Sequence, residues 1–105
     1  MSDTLARLEA TILSRRGGDP AASYVAGLFA KGRPKIARKF GEEAVETIVA
    51  ALAEDRDALA GEAADTLFHL MVLLAEAGIP FASVLAELDR REGTSGIAEK
   101  AARTA

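Results

Sequence analysis

At 105 residues, half of them apolar and with a formal charge of −3, the chain has the size of one domain. It also lacks the basic stripe of a nucleic-acid binder. It has no cysteine, which excludes disulfides, thiolate zinc sites and thiol nucleophiles. So small a chain buries only a modest share of its surface, and an interface shared with a second copy is expected.

Alanine, leucine and glutamate dominate, and no stretch alternates well enough to be a strand, so helix is expected nearly throughout. The N-terminal MSDTLARLEATILSRR scatters charge along its length and is no signal peptide; Ser2 or Asp3 caps a first helix running to about Arg16. Gly17-Gly18 ends it. Asp19-Pro20 opens a second helix that runs to about Lys31 and closes at Gly32. Pro34 opens a third, to about Ala53. After a polar turn over 54–57, a fourth runs to about Ala77 and stops at Gly78. Pro80 opens a fifth, to about Glu92, and the tail from Gly93 is expected to be mobile or docked on a neighbour. The longest apolar run, Leu67 to Ala75, contains His69 and is too short to cross a bilayer, so the expected location is the cytoplasm, without membrane contact.

The chemistry lies on the third and fourth helices. At about 100° per residue, Glu42, Glu43 and Glu46 share an arc of roughly 100° with Lys35 and Lys39. Val45, Ile48, Val49 and Leu52 form the adjoining apolar stripe, which places the acids at the border of the core. On the fourth helix Glu62 and Asp65 are three apart, with His69 one turn on. The short turn makes these helices antiparallel neighbours, with Glu46 and Glu62 at comparable heights. Carboxylates in such surroundings repel and are costly to desolvate, and a divalent cation removes both penalties. Oxygen ligands without cysteine or paired histidine select magnesium, with manganese as a substitute. Glu43, Glu46, Glu62 and Asp65 are the expected ligands of one ion or a close pair. Lys35 and Lys39 are expected to contact phosphate, joined by Lys31 and Arg33 from the same basic cluster, whereas Arg38 reads as solvated surface. Glu42 is the candidate catalytic base. His69, Ser23 and Tyr24 stand open between substrate contact and a structural role. Each acid taken alone would pass for ordinary helix surface; two three-spaced pairs on facing helices do not.

The segments SYVAGLFAKGRPKIARKFGEEAVETIVAA and EAADTLFHLMVLL resemble the phosphoribosyl-ATP pyrophosphohydrolases, within the all-α MazG-like nucleotide pyrophosphohydrolases. The shared pattern, Glu-Glu-x-x-Glu followed a helix later by Glu-x-x-Asp, falls on Glu42-Glu43-x-x-Glu46 and Glu62-x-x-Asp65. The surrounding Ser23-Tyr24, Lys31-Gly32, Lys35-Ile36, Lys39 and Gly41 narrow the match, as does the closing Arg91-x-Gly93-x-Ser95-Gly96-Ile97. Val25 departs from it, standing where threonine would be expected after the Ser-Tyr pair. The resemblance implies an all-α bundle of about five helices over residues 1–105, its four-helix core completed by homodimerisation. It also implies magnesium-assisted hydrolysis of 1-(5-phosphoribosyl)-ATP to 1-(5-phosphoribosyl)-AMP and pyrophosphate, in histidine biosynthesis, with a functional link to phosphoribosyl-AMP cyclohydrolase. Two rivals remain at this point: a house-cleaning pyrophosphohydrolase of free nucleoside triphosphates, and a non-catalytic helical oligomerisation module.

Overall fold

The computed structural model describes residues 3–92, all five expected helices and, among the described residues, no strand. The expected Ser2 cap, the tail from Gly93 and the motif residues Gly93, Ser95, Gly96 and Ile97 lie outside the described residues. The helices are α1 (Asp3–Ser14), α2 (Tyr24–Lys31), α3 (Arg33–Leu52), α4 (Arg56–Glu76) and α5 (Phe81–Arg91).

Three boundaries differ from expectation for local reasons. α1 ends two residues early, where Arg15 and Arg16 donate to the carbonyls of Ile12 and Leu13 and tighten the last turn. Asp19-Pro20 builds a turn instead of a helix start. The Asp19 carboxylate accepts from Ala21 N and its carbonyl from Ala22 N, both at 3.0 Å. Ser23 is the actual cap of α2, its hydroxyl accepting from Ala26 N at 3.2 Å. Pro80 caps α5 from outside, and the Phe81 amide is satisfied by Glu9 of α1 at 2.7 Å.

α3 and α4, 20 and 21 residues long, form an antiparallel hairpin and the largest helix–helix contact. Both helices end in the same six-residue closure: Asp55 N donates to Ala50 O at 3.3 Å, and Ile79 N donates to Leu74 O at 2.9 Å. The closure needs a left-handed residue. Gly78 supplies it after α4 at φ +77°, whereas Glu54 takes it after α3 at φ +60°. α1 and α2 cover one side of the hairpin, and the core gathers Ile12, Leu28, Ile36, Met71, Val72 and Phe81.

The apolar stripe of α3 does not border this core. Val45, Ile48, Val49 and Leu52 are 57–80% exposed. α3 instead turns the row Ile36, Phe40, Glu43, Thr47 and Ala50 inward, all of them buried or half-buried. That row has the 3.6-residue period of a packed face and carries two polar residues at its middle. α4 as a whole is long and apolar enough to cross a membrane, although its apolar run is not. It has a different use here: it packs against both α1 and α3 and buries His69, Met71, Val72 and Ala75.

Candidate active site

Because Glu43 lies on the inward row of α3, its side chain is only 13% exposed. It meets Glu62 and Asp65 of α4, and one carboxylate oxygen from each of the three lies within 4.8 Å of the others. The Glu62 Oε2 atom is shut off from solvent and has no hydrogen-bond partner. Glu43 and Glu62 are both held above the ordinary carboxylate range. For Glu43 the main cause is the Glu46 carboxyl close beside it, with burial adding to it. For Glu62 it is burial, then the Glu46 charge. Glu46 thus faces both while remaining exposed at the rim. A buried carboxylate oxygen without a partner, among acids that repel it, fits a hard divalent cation that would take oxygen ligands from Glu43, Glu62 and Asp65, with Glu46 beside them.

The basic residues divide. Lys39 Nζ lies 3.6 Å from Glu42 and 3.9 Å from Glu43, at the edge of the acids. Its ammonium is held above its ordinary range, first by Tyr24 and then by Glu42 and Glu43, with burial opposing. Lys35 lies one turn back, half-buried, with no ion-pair partner among the described residues. Arg33, expected with the phosphate contacts, is turned elsewhere: its Nε donates to Glu76 at 2.6 Å and ties the start of α3 to the end of α4. Glu76 is eleven residues beyond Asp65, about 16 Å along the helix. Lys31 is exposed at the end of α2. Glu42 is 52% exposed and outside the converging set, within reach of Lys39.

His69 and Tyr24 form a unit that spacing alone did not reveal. His69 is 5% exposed, and its Nδ1 lies 2.8 Å from the Asp65 carbonyl oxygen. A carbonyl only accepts, so Nδ1 carries the proton and, in the neutral ring, Nε2 is the acceptor. The Tyr24 hydroxyl, 2.9 Å from Nε2, therefore donates to it and turns its lone pairs outward. Tyr24 also stacks on Phe68, with ring centroids 6.3 Å apart. Ser23 caps the helix that carries Tyr24, so the start of α2 is pinned against the turn of α4 bearing Asp65. On the other side, Glu46 and Glu62 border a shallow groove of about 340 Å³ with Val49, Ala50, Ala53 and Ala58.

Residues 5–92 match the family described as phosphoribosyl-ATP pyrophosphohydrolase. Three proteins named phosphoribosyl-ATP pyrophosphatase are similar along nearly their whole length. The one from Rhizorhabdus wittichii is 74% identical over 98% of this chain and 97% of its own. The Novosphingobium aromaticivorans protein is 70% identical over 97% and 95%. The one from Paramagnetospirillum magneticum is 62% identical over 97% and 94%. With an all-helical architecture and carboxylates converging from facing helices, this chain belongs to the phosphoribosyl-ATP pyrophosphohydrolase family.

Proposed function

We propose that this chain hydrolyses 1-(5-phosphoribosyl)-ATP to 1-(5-phosphoribosyl)-AMP and pyrophosphate, the step of histidine biosynthesis that its relatives' name denotes. The observation that carries the reading is the meeting of Glu43, Glu62 and Asp65 around an orphaned Glu62 oxygen, with Lys39 at the edge. Glu43, Glu46, Glu62 and Asp65 would hold magnesium, or manganese in its place. Magnesium supplies charge neutralisation and polarisation of the α–β anhydride. The chain's own groups do the rest. Lys35 and Lys39 bind the triphosphate and neutralise charge that builds on the departing pyrophosphate. Glu42 accepts the proton of the attacking water. Oxygen from that water joins the α-phosphorus as the α–β bond breaks, and pyrophosphate leaves. Tyr24 and His69 hold the start of α2 beside the site. Lys31 is an outer attraction for the phosphates, and Arg33 serves the fold through Glu76.

The matched span takes in all of α2 to α5 and most of α1, which supports one catalytic domain per chain. The exposed stripe of Val45, Ile48, Val49 and Leu52 supports a homodimer in which a second α3 covers it. The enzyme works in the cytoplasm and hands its product to a phosphoribosyl-AMP cyclohydrolase activity. The test compares pyrophosphate release from phosphoribosyl-ATP and from a panel of nucleoside triphosphates, with and without magnesium. Fast, magnesium-dependent release from phosphoribosyl-ATP is expected. Equal or faster release from free triphosphates would assign the chain to nucleotide house-cleaning instead.

A further inference from the structure

The two helices that bring the acids together also bring together a pair of hydroxyls. Thr47 follows Glu46, and Thr66 follows Asp65. Their Oγ1 atoms lie 2.8 Å apart across the α3–α4 interface, and both side chains are half-buried. Each hydroxyl is also 2.9 Å from the carbonyl oxygen one turn back on its own helix. For Thr47 this is the carbonyl of Glu43, and for Thr66 that of Glu62. Three contacts share two hydrogens, so one hydroxyl donates across the interface while the other keeps its own carbonyl. The abandoned carbonyl still accepts within the helix, so the bridge leaves nothing unsatisfied. Apart from the carboxylates themselves, the other polar side-chain link between α3 and α4 among the described residues is Arg33 to Glu76, at the far end.

Two hydroxyl oxygens can approach to 2.8 Å; two methyl-terminated side chains meet at about 3.5–4.0 Å. The bridge therefore lets the two side chains meet more closely at this level than a valine pair in the same rotamers could. The turns that carry the threonines also carry Glu43, Glu46, Glu62 and Asp65. Magnesium demands short, near-octahedral oxygen contacts, whereas calcium accepts longer and less regular ones. We propose that Thr47 and Thr66 are a positioning pair: their hydroxyl bridge sets the α3–α4 spacing so that the carboxylates suit a small dication in preference to a large one. This rests on the reading of those carboxylates as a divalent-cation site.

The experiment measures binding of magnesium and of calcium, each alone, to the full chain without substrate, by calorimetry and by thermal shift. Thr47→Val with Thr66→Val removes both hydroxyls together, so neither is left as a half-buried polar group without its partner. Magnesium affinity is expected to fall about tenfold, as it does on loss of other groups that support metal ligands, while calcium affinity changes much less. Thr47→Ser with Thr66→Ser keeps the bridge and is expected to keep both affinities. Thr66→Val alone is expected to shift magnesium binding in the same direction and less, which keeps the test decisive if the double variant does not fold. Undiminished magnesium binding in the valine variants, or equal losses for both ions, would overturn the positioning role. A wild-type chain indifferent to magnesium would overturn the cation site itself, and the role of the pair with it.

Discussion

Glutamate meets opposite fates in two parts of this molecule. On α5, Glu87 accepts from Arg90 at 2.6 and 3.0 Å and from Arg91 at 2.9 Å, and these bonds hold its carboxyl down to about 2. Between α3 and α4, Glu43 and Glu62 have other acids for neighbours and are pushed up. The first arrangement is complete within the chain. The second leaves a buried oxygen without a partner, which a positive charge from outside could satisfy. Carboxylates satisfied by their own chain are structural; carboxylates arranged to repel are the mark of a site.

The sharpest break of that contrast is Glu62→Gln, which removes one of the converging carboxylates. Pyrophosphate release should fall by at least about a hundredfold, more than is usual for groups that only support a metal ligand, with the helical circular dichroism unchanged. Next in size, Ile48→Glu places a charge in the exposed stripe of α3 and should give monomers in sedimentation analysis where the wild type, on the proposed pairing of α3 helices, runs as a dimer, with helicity retained. Lys39→Ala should raise KM about tenfold, the worth of a charge-assisted contact, and make KM less sensitive to salt; unchanged KM across ionic strength would return Lys39 to the surface.

The smallest effect concerns pH and has opposite signs in the two regions. Glu87 is depressed in the folded chain, so its stabilisation is present above the ordinary glutamate range and is lost as pH falls toward about 2. Glu43 and Glu62 are raised, so their penalty is absent below the ordinary range and grows as pH rises through their folded values. Glu87→Gln should therefore flatten the acid limb of the metal-free melting curve against pH. Glu62→Gln should instead flatten the decline that sets in as pH rises above the ordinary glutamate range.

Much of this was legible in the sequence because it depends on period and spacing. The all-α class, the α3–α4 hairpin and the meeting of three of the four expected carboxylates, Glu43, Glu62 and Asp65, follow from three-residue spacing and a short turn, whereas the expected Glu46 stays exposed outside that set. What escaped depends on choices that period does not record. The α3 stripe reads as core because apolar periodicity marks an apolar face without saying whether this chain covers it, and in this chain the stripe is exposed while the row with Glu43 and Thr47 at its centre turns inward. Asp19-Pro20 read as a helix start, and a local side-chain bond made it a turn. Arg33 shared a basic cluster with Lys35 and Lys39, and only the far end of the antiparallel partner reveals Glu76. The Thr47–Thr66 bridge joins residues 19 apart and the Tyr24–His69 bond residues 45 apart. Both depend on helix register.

The most direct test is the melting temperature of the wild type and of Glu62→Gln as magnesium is added at neutral pH without substrate. The wild type should start low and rise steadily with magnesium, while the variant should start higher, relieved of one repelling charge, and move little. A wild type unmoved by magnesium, or two proteins that rise in parallel, would contradict the claim that these carboxylates await a cation.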